Sequence, residues 1–241
     1  MMVNKQIISG GIAYGKAIIF ERKDSYKYCN SNQENELSKF IQSIAKVTLG
    51  IESQINQSKA QISERVAEIF ETHKLIVNDP VVIGNTKNFI NGGANAYNAY
   101  DKAIKEVLNQ FSKVDNDYML GRIIDIIDAT DRVKSDLKNQ KYNCFSDIQE
   151  PTILILKDIR PSVIYDVKNI NVKGFIAENG FFNQHSGILA RTLKIPGIVY
   201  QNIFNIIRNN DFVLIDCLKG EIYVNPSSEV ISTKMEEADE L

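Results

Sequence analysis

The scarcity of several residue types limits the classes of function that this chain can have. Its 241 residues include no Trp, only two His and three Cys, and 28 basic residues nearly balance 30 acidic ones, for a net charge of −2. A chain without a basic excess has no electrostatic footprint for nucleic acid or an anionic membrane, so neither is expected as a partner. No apolar run approaches the roughly 20 residues that a membrane-spanning helix needs.

The cysteines argue against a disulfide framework and a metal centre. Cys29, Cys144 and Cys217 lie far apart and have no metal-ligand spacing, so no metal site is expected. An odd and sparse set is typical of a reducing compartment. The first residues also lack the long apolar core of a signal peptide. We therefore expect a cytoplasmic protein.

Hydrophobic periodicity predicts a helical bundle in the first half of the chain. Residues 6–20 indicate two short strands around glycine turns. From about residue 33 to 138 apolar residues recur three and four positions apart, as in Phe40, Ile44, Ile51 and Ile55. Asn78-Asp79-Pro80 interrupts this pattern, because proline disfavours a helical residue before it. A bundle of four or five helices is expected.

The second half of the chain has an α/β pattern. Strands are predicted at 152–156, 173–177, 197–200, 212–216 and 221–224, with short helices after Arg160, at 186–194 and at 203–207. The two N-terminal strands have no other sheet to join, so the bundle is predicted to be an insertion. The expected domains are an α/β subdomain (1–24 and 145–228), a helical subdomain (33–140) and a terminal helix or linker (229–241).

The two histidines each permit two interpretations. His185 lies where a strand gives way to a helix, a place where free N–H groups and the helix dipole attract anions, so it is suited to carry a phosphoryl group. The alternative, favoured by spacing alone, is an ordinary loop histidine. His73 lies on the apolar stripe of its helix. It is either a core residue, which the periodicity favours, or part of an exposed docking groove.

Ordered motifs along almost the whole chain resemble one family. That family is the N-terminal phosphohistidine domain of Enzyme I, the phosphoenolpyruvate-protein phosphotransferase of the bacterial sugar phosphotransferase system. Several matches at consistent separations make the signal strong. The matching residues are Ile8–Ala17, Ile69–Pro80, Asp117-Tyr118, Arg122, Asp125, Asp128, His185, Ile188, Ala190-Arg191, Leu193, Pro196 and Val224-Asn225-Pro226.

The resemblance implies a fold and a chemistry. It implies a swivelling phosphohistidine α/β subdomain with an inserted helical-bundle subdomain. His185 would carry the phosphoryl group. The residues of this chain expected to support that group, two of which depart from the family pattern, are Arg160, Asn183 and Ser186. In that family a separate C-terminal barrel binds phosphoenolpyruvate and Mg²⁺. No cofactor is therefore expected in this chain, and Mg²⁺ is expected only with the barrel.

The resemblance also implies two protein partners. They are the small phosphocarrier protein HPr, which would dock on the helical subdomain, and the C-terminal barrel. The docking surface would include His73, Leu75, Ile76, Asp79 and Arg122.

The loop before His185 departs from the family pattern Gly-Gly-x-Thr-Ser-His. Here it is Gly180-Phe181-Phe182-Asn183-Gln184-His185, and Arg160 replaces a threonine that helps to orient the histidine. A guanidinium there can bind a phosphoryl group in a bidentate manner, or disfavour protonation of the ring. The changed loop motivates a second hypothesis, a non-catalytic HPr-binding or regulatory homologue. A swivelling domain of a pyruvate-dikinase-like enzyme ranks last, because it would not explain the inserted bundle.

Overall fold

The structure, a computed structural model, describes residues 5–20, 33–111, 117–142, 145, 147–180 and 184–239. Contacts divide the chain into two compact units, Met1–Lys23 with Asn143–Leu241, and Asp24–Tyr142. The described part of the first unit is α/β and that of the second is helical, so the predicted α/β plus all-α class with an inserted bundle is confirmed. The predicted boundary at residue 24 lies within residues 21–32, outside the described residues. The predicted boundary at residue 33 directly follows that segment.

The helical unit contains five helices in its described residues. Fully buried side chains such as Phe40, Ile51, Phe70, Ile90 and Tyr100 form its core. Because these residues recur at helical spacing, each helix turns one apolar face inward. The helices are α1 (Gln33–Gln61), α2 (Glu64–Val77), α3 (Pro80–Asn91), α4 (Ala96–Phe111) and α5 (Asp117–Leu137).

Local capping sets the corner between α2 and α3. The side chain of Ser63 accepts a hydrogen bond from the N–H of Val66 and so begins α2. Asp79 begins α3 by accepting from the N–H groups of Val81 and Val82, both at 2.9 Å. Pro80 follows in the first turn, where its missing N–H costs no hydrogen bond.

The described residues of the α/β unit contain seven strands, β1 (Lys5–Ser9), β2 (Ile12–Phe20), β3 (Thr152–Asp158), β4 (Val172–Asn179), β5 (Gly197–Tyr200), β6 (Phe212–Asp216) and β7 (Glu221–Val224). They form one sheet in the order β1-β5-β4-β3-β2-β6-β7. The central strands β2, β3, β4 and β5 run parallel, whereas β1 and β6 pair antiparallel with their neighbours. The prediction that both N-terminal strands join the C-terminal sheet is therefore confirmed.

Three helices complete the described part of this unit, α6 (Pro161–Asp166), α7 (His185–Thr192) and α8 (Ser228–Asp239). The helix predicted at 203–207 is instead a single 3₁₀ turn, Ile203–Asn205, preceded by Asn202 in the left-handed region at φ 62°. The helix predicted at 186–194 begins one residue earlier and ends at Thr192, since Lys194 has φ 54°. In the described residues no helix has both the length and the hydropathy for a membrane span.

Candidate functional site

The candidate site lies at the carboxyl edge of the parallel strands. β3 and β4 are neighbours, and their last residues, Asp158 and Asn179, are paired in register. β3 leads into α6 and β4 leads towards α7, so both helix starts follow the same edge of the sheet. Ligand sites of open α/β sheets lie outside the carboxyl ends of their strands. Arg160 and His185 are therefore delivered to one edge by neighbouring strands.

Gly180 fixes the turn at which the chain leaves β4. Its φ is +156°, and a Cβ built there would lie 2.6 Å from Cδ1 of Ile159. Only glycine lets the backbone approach the β3 segment this closely. The chain beyond β4 therefore leaves the sheet directly beside the residue that precedes Arg160.

His185 is the first residue of α7. The preceding residue, Gln184, has an extended backbone (φ −71°, ψ 159°), and its side chain makes no capping hydrogen bond. Its carbonyl accepts from the N–H of Ile188 at 3.1 Å and closes the first turn. The N–H groups of a first turn have no partner inside the helix and carry its positive dipole end. The His185 ring is thus attached to the anion-favouring end of α7.

His185 and the residues on either side of it differ in how deeply they are buried. His185 is partly exposed as a residue, while its Nδ1 atom is buried. Gln184 and Ser186, on either side, are 9% and 1% exposed. Among the described residues, the buried Ser186 hydroxyl has no hydrogen-bond partner. A buried hydroxyl without a partner is costly, so it is a donor that an incoming oxygen atom would satisfy.

α7 is a firmly held platform for the histidine. Leu189 and Ala190 are completely buried. Nη1 of Arg191 donates to the carbonyl of Ile8 at 3.0 Å, and Oγ of Ser9 donates to the carbonyl of Ala190 at 3.4 Å. These contacts tie α7 to the edge strand β1, so a group carried at His185 would be presented from a fixed position.

Of the other two residues expected to support a phosphoryl group, the structure describes Arg160 but not Asn183. Arg160 directly precedes α6, is partly exposed and makes no side-chain capping bond, and α6 packs against α7. Asn183 lies outside the described residues, so its role stays a prediction. No group of three or more side chains suited to a metal ion occurs in the ranges that the structure describes.

The residues expected to dock a partner lie mainly at the α2–α3 corner. Leu75 is 74% exposed, and Ile76 and Asp79 are partly exposed. Arg122 is on α5, which packs against α2, and its Nη1 lies 3.8 Å from the Asp125 carboxylate.

The expectation that His73 belongs to the docking surface has to be corrected. Its side chain is 0% exposed and its ring meets that of Phe70 edge-on, with the centroids 5.7 Å apart. A completely buried ring has no surface to offer a partner, so docking depends on the other residues. His73 lies on the inward-facing stripe of α2, together with Ile69, Phe70 and Val77.

Two family models match the chain. Residues 6–122 match the N-terminal region of PEP-utilising enzymes, and residues 148–220 match their mobile domain. Together these segments make up most of the sequence, and over them the chain is similar to PEP-utilising enzymes.

Within that family the particular relatives are Enzyme I proteins. A solution NMR structure of Enzyme I superposes with a TM-score of 0.73 at 27% identity, covering 99% of both chains. The resemblance to the N-terminal domain of Enzyme I is thereby confirmed. The N-terminal domain of Enzyme 1–Nitrogen has a TM-score of 0.64 at 15% identity, with 99% of this chain and 100% of that chain covered, and shows the fold alone.

Curated relatives are phosphoenolpyruvate-protein phosphotransferases. The protein from Priestia megaterium is 32% identical over 96% of this chain and 41% of its own length. The protein from Bacillus subtilis is 31% identical over 92% of this chain and 40% of its own length. The chain thus spans about two fifths of the length of these relatives.

Proposed function

We propose that this chain is a phosphoryl-transfer domain in which His185 carries the phosphoryl group. The observation behind this proposal is a partly exposed histidine at the first position of α7, on the carboxyl edge of the sheet. Because Nδ1 is buried, Nε2 is the proposed acceptor. The family relationship supports this choice over an ordinary loop histidine.

The proposed step is a reversible exchange with the histidine of an HPr-like phosphocarrier protein. The P–N bond to the carrier histidine breaks as a P–N bond to Nε2 of His185 forms, and no water or other reactant is consumed. Such transfer depends on positioning and on stabilising the charge of the phosphoryl oxygens. The N–H groups at the start of α7, the Ser186 hydroxyl and the Arg160 guanidinium are the proposed donors, with Asn183 as a further candidate from sequence.

Phosphoenolpyruvate enters only through a second domain in this proposal. In Enzyme I the barrel binds phosphoenolpyruvate and Mg²⁺, so this chain alone would exchange with the phosphocarrier and not with phosphoenolpyruvate. The complete enzyme would act in the cytoplasm as a transferase of the sugar phosphotransferase system. The proposed docking surface for the carrier is Leu75, Ile76, Asp79 and Arg122 on the helical unit.

Transfer of a radioactive phosphoryl group tests this function. The chain would be incubated with ³²P-labelled phospho-HPr, separated by electrophoresis and treated with acid, which hydrolyses phosphohistidine. We expect acid-labile label on the wild-type chain and none on His185→Ala. The matched control is His73→Gln, which alters the other histidine and should keep the label if its fold, checked by circular dichroism, is intact.

The same experiment distinguishes phosphoryl transfer from the competing hypothesis, a non-catalytic HPr-binding module. If the wild-type chain binds HPr in a calorimetric titration but takes up no label, the non-catalytic binding module is correct and transfer is excluded. Equal labelling of wild type and His185→Ala would also refute His185 as the carrier.

A further inference from the structure

Three large apolar side chains of the helical unit are unusually exposed. Leu75 is 74% exposed, Leu49 is 66% and Val81 is 63%. The other exposed large apolar side chains of the described residues reach only 47–49%. Leu75 and Val81 flank the α2–α3 corner, but Leu49 belongs to α1. Whether Leu49 lies on the same surface depends on how α1 packs against α2.

Two side-chain contacts set the register between α1 and α2. Nδ2 of Asn78 donates to Oγ1 of Thr48 at 3.0 Å, and Nζ of Lys74 lies 2.5 Å from Oε1 of Glu52. The later residue of α1 pairs with the earlier residue of α2, so the helices run antiparallel. Leu49 follows Thr48 directly, and on this register it lies about two residues, or about 3 Å, along the helix axis from Leu75.

Helical geometry places both leucines on the outward face. Leu49 follows the fully buried Phe40 by nine positions, and Leu75 follows the fully buried Val66 by nine positions. Nine residues correspond to about 180° of rotation, so each leucine points away from its own core stripe. Packed helices lie about 8–10 Å apart, close enough for the two side chains to form one surface.

Val81 extends this surface around the corner. The N–H of Asp79 donates to the carbonyl of Ile76 at 3.3 Å, and the Asp79 carboxylate caps the N–H of Val81. The start of α3 is therefore fixed against the last turn of α2. Leu49, Leu75 and Val81 together are termed the apolar ridge below.

The outward face of α2 that leads to Leu75 is acidic, since Glu71 and Glu68 precede it by four and seven residues and share its side of the helix. Lys59 pairs with Glu64 at 3.3 Å and with Glu71 at 2.7 Å, while Lys74 is held by Glu52. The exposed carboxylate of Glu68 forms no ion pair with any described residue. A partner that complements this face would bring apolar side chains surrounded by lysine or arginine.

We propose that α1 contributes to the surface that receives the phosphocarrier protein, with Leu49 as a contact that determines affinity. This inference rests on the proposed function, which places docking at the α2–α3 corner. It adds a third helix to that surface and gives the carrier an apolar centre with a basic rim. Burying three adjacent apolar side chains supplies the central contact that such interfaces need.

Binding of HPr to charge-inserting variants tests the proposal. The whole 241-residue chain would be titrated with purified HPr by calorimetry at low and at physiological salt. We expect Leu49→Lys to weaken binding about tenfold, as Leu75→Lys should, because each buries an unpaired charge in the interface. Phosphotransfer should show a raised KM for phospho-HPr with kcat unchanged, as expected for a docking residue.

Ile41→Lys is the matched control. Ile41 is 48% exposed on the same helix, eight residues and about 12 Å from Leu49. It should change affinity less than about twofold. Unchanged binding by Leu49→Lys while Leu75→Lys is impaired would overturn the inference and leave the proposed function intact. Equal losses for Leu49→Lys and Ile41→Lys would also overturn it. Absence of binding by wild type would defeat the proposed docking itself.

Discussion

The ammonium group of Lys234 on α8 lies 2.6 Å from the fully buried carboxylate of Asp216 at the end of β6. Oδ1 of Asp216 also accepts from the N–H groups of Leu218 and Lys219, each at 3.0 Å. Burial alone would raise the pKa of Asp216, but these hydrogen bonds outweigh it and the net shift is downward. Hydrogen bonding to Asp216 raises the pKa of Lys234. This pair fastens the terminal helix to the sheet.

We predict that Asp216→Ala lowers the free energy of unfolding by about 3 kcal/mol, because it leaves a largely buried ammonium without its main partner. Urea unfolding at pH 7 measures this change. Lys59→Met is the control, since it removes only exposed ion pairs and should have no resolvable effect. If the two variants were equally stable, α8 would not depend on the pair.

The same pair predicts a pH window of stability. The lowered pKa of Asp216 adds stability above about pH 4, which is lost as the pH falls through the folded-state value. The raised pKa of Lys234 adds stability that is complete below about pH 10 and is lost at higher pH. Unfolding measured between pH 2 and 11 should show the acid loss and the beginning of the alkaline loss, because the folded-state pKa of Lys234 lies above this range. In Asp216→Asn the acid loss should be smaller than in wild type.

Adding the same methyl group at two different glycines should change the free energy of unfolding in opposite directions. Gly50 lies in α1 with nothing within 4 Å of a Cβ, whereas a Cβ at Gly197 would lie 2.1 Å from Cζ of Phe175. Gly50→Ala should raise the free energy of unfolding by about 0.5–1 kcal/mol, since glycine is a poor helix former. Gly197→Ala should lower it by about 1–3 kcal/mol through overpacking between β4 and β5. Thermal melts of both variants check the signs.

Cys217 is predicted to be inert in the folded chain. Burial, followed by the nearby charge of Asp216, raises its pKa to about 12. At pH 8 only about one thiol in ten thousand would then be the reactive thiolate. In a Cys29→Ser/Cys144→Ser variant, a thiol reagent should react slowly in buffer and rapidly in guanidinium. Rapid reaction in buffer would show that the sheet opens at this position.

Most of the fold was readable from the sequence because its signals are local. The strands at 197–200, 212–216 and 221–224 have the predicted bounds, and Pro80 and Asp79 mark the start of α3. The first residue of α7 was missed because Gln184 provides no capping side chain to signal it. The predicted helix at 203–207 is wrong in length, because the segment forms only the 3₁₀ turn Ile203–Asn205, a shortening that apolar spacing does not reveal.

The partner surface was harder to predict for a different reason. Periodicity identifies the stripe that faces the core, and it correctly favoured a core position for His73. An outward residue such as Leu49 carries no periodic signal. Leu75 belongs to another helix, and only contacts between the two helices, Thr48–Asn78 and Glu52–Lys74, show the register from which their adjacency is inferred. Surfaces made of two helices depend on packing, which spacing along one chain does not contain.

The hydroxyl of Ser186 supplies the prediction closest to the proposed chemistry. Ser186 follows His185 in α7, and its buried hydroxyl has no hydrogen-bond partner among the described residues. Removing a buried hydroxyl without a partner should leave the stability of the free chain unchanged, or raise it by about 1 kcal/mol. The same Ser186→Ala change should slow phosphotransfer from phospho-HPr about tenfold or more, because one donor to the phosphoryl oxygens is lost.

Ser58 offers the matched control for Ser186. Its hydroxyl is equally buried and, within the described part of the chain, also lacks a partner, but it lies in the helical unit. Ser58→Ala should therefore have the same effect on stability as Ser186→Ala and no effect on single-turnover transfer. Equal transfer rates in the two variants would show that the Ser186 hydroxyl does not contact the phosphoryl group. A slower rate in Ser186→Ala alone, at full stability, separates a role in transfer from a role in folding.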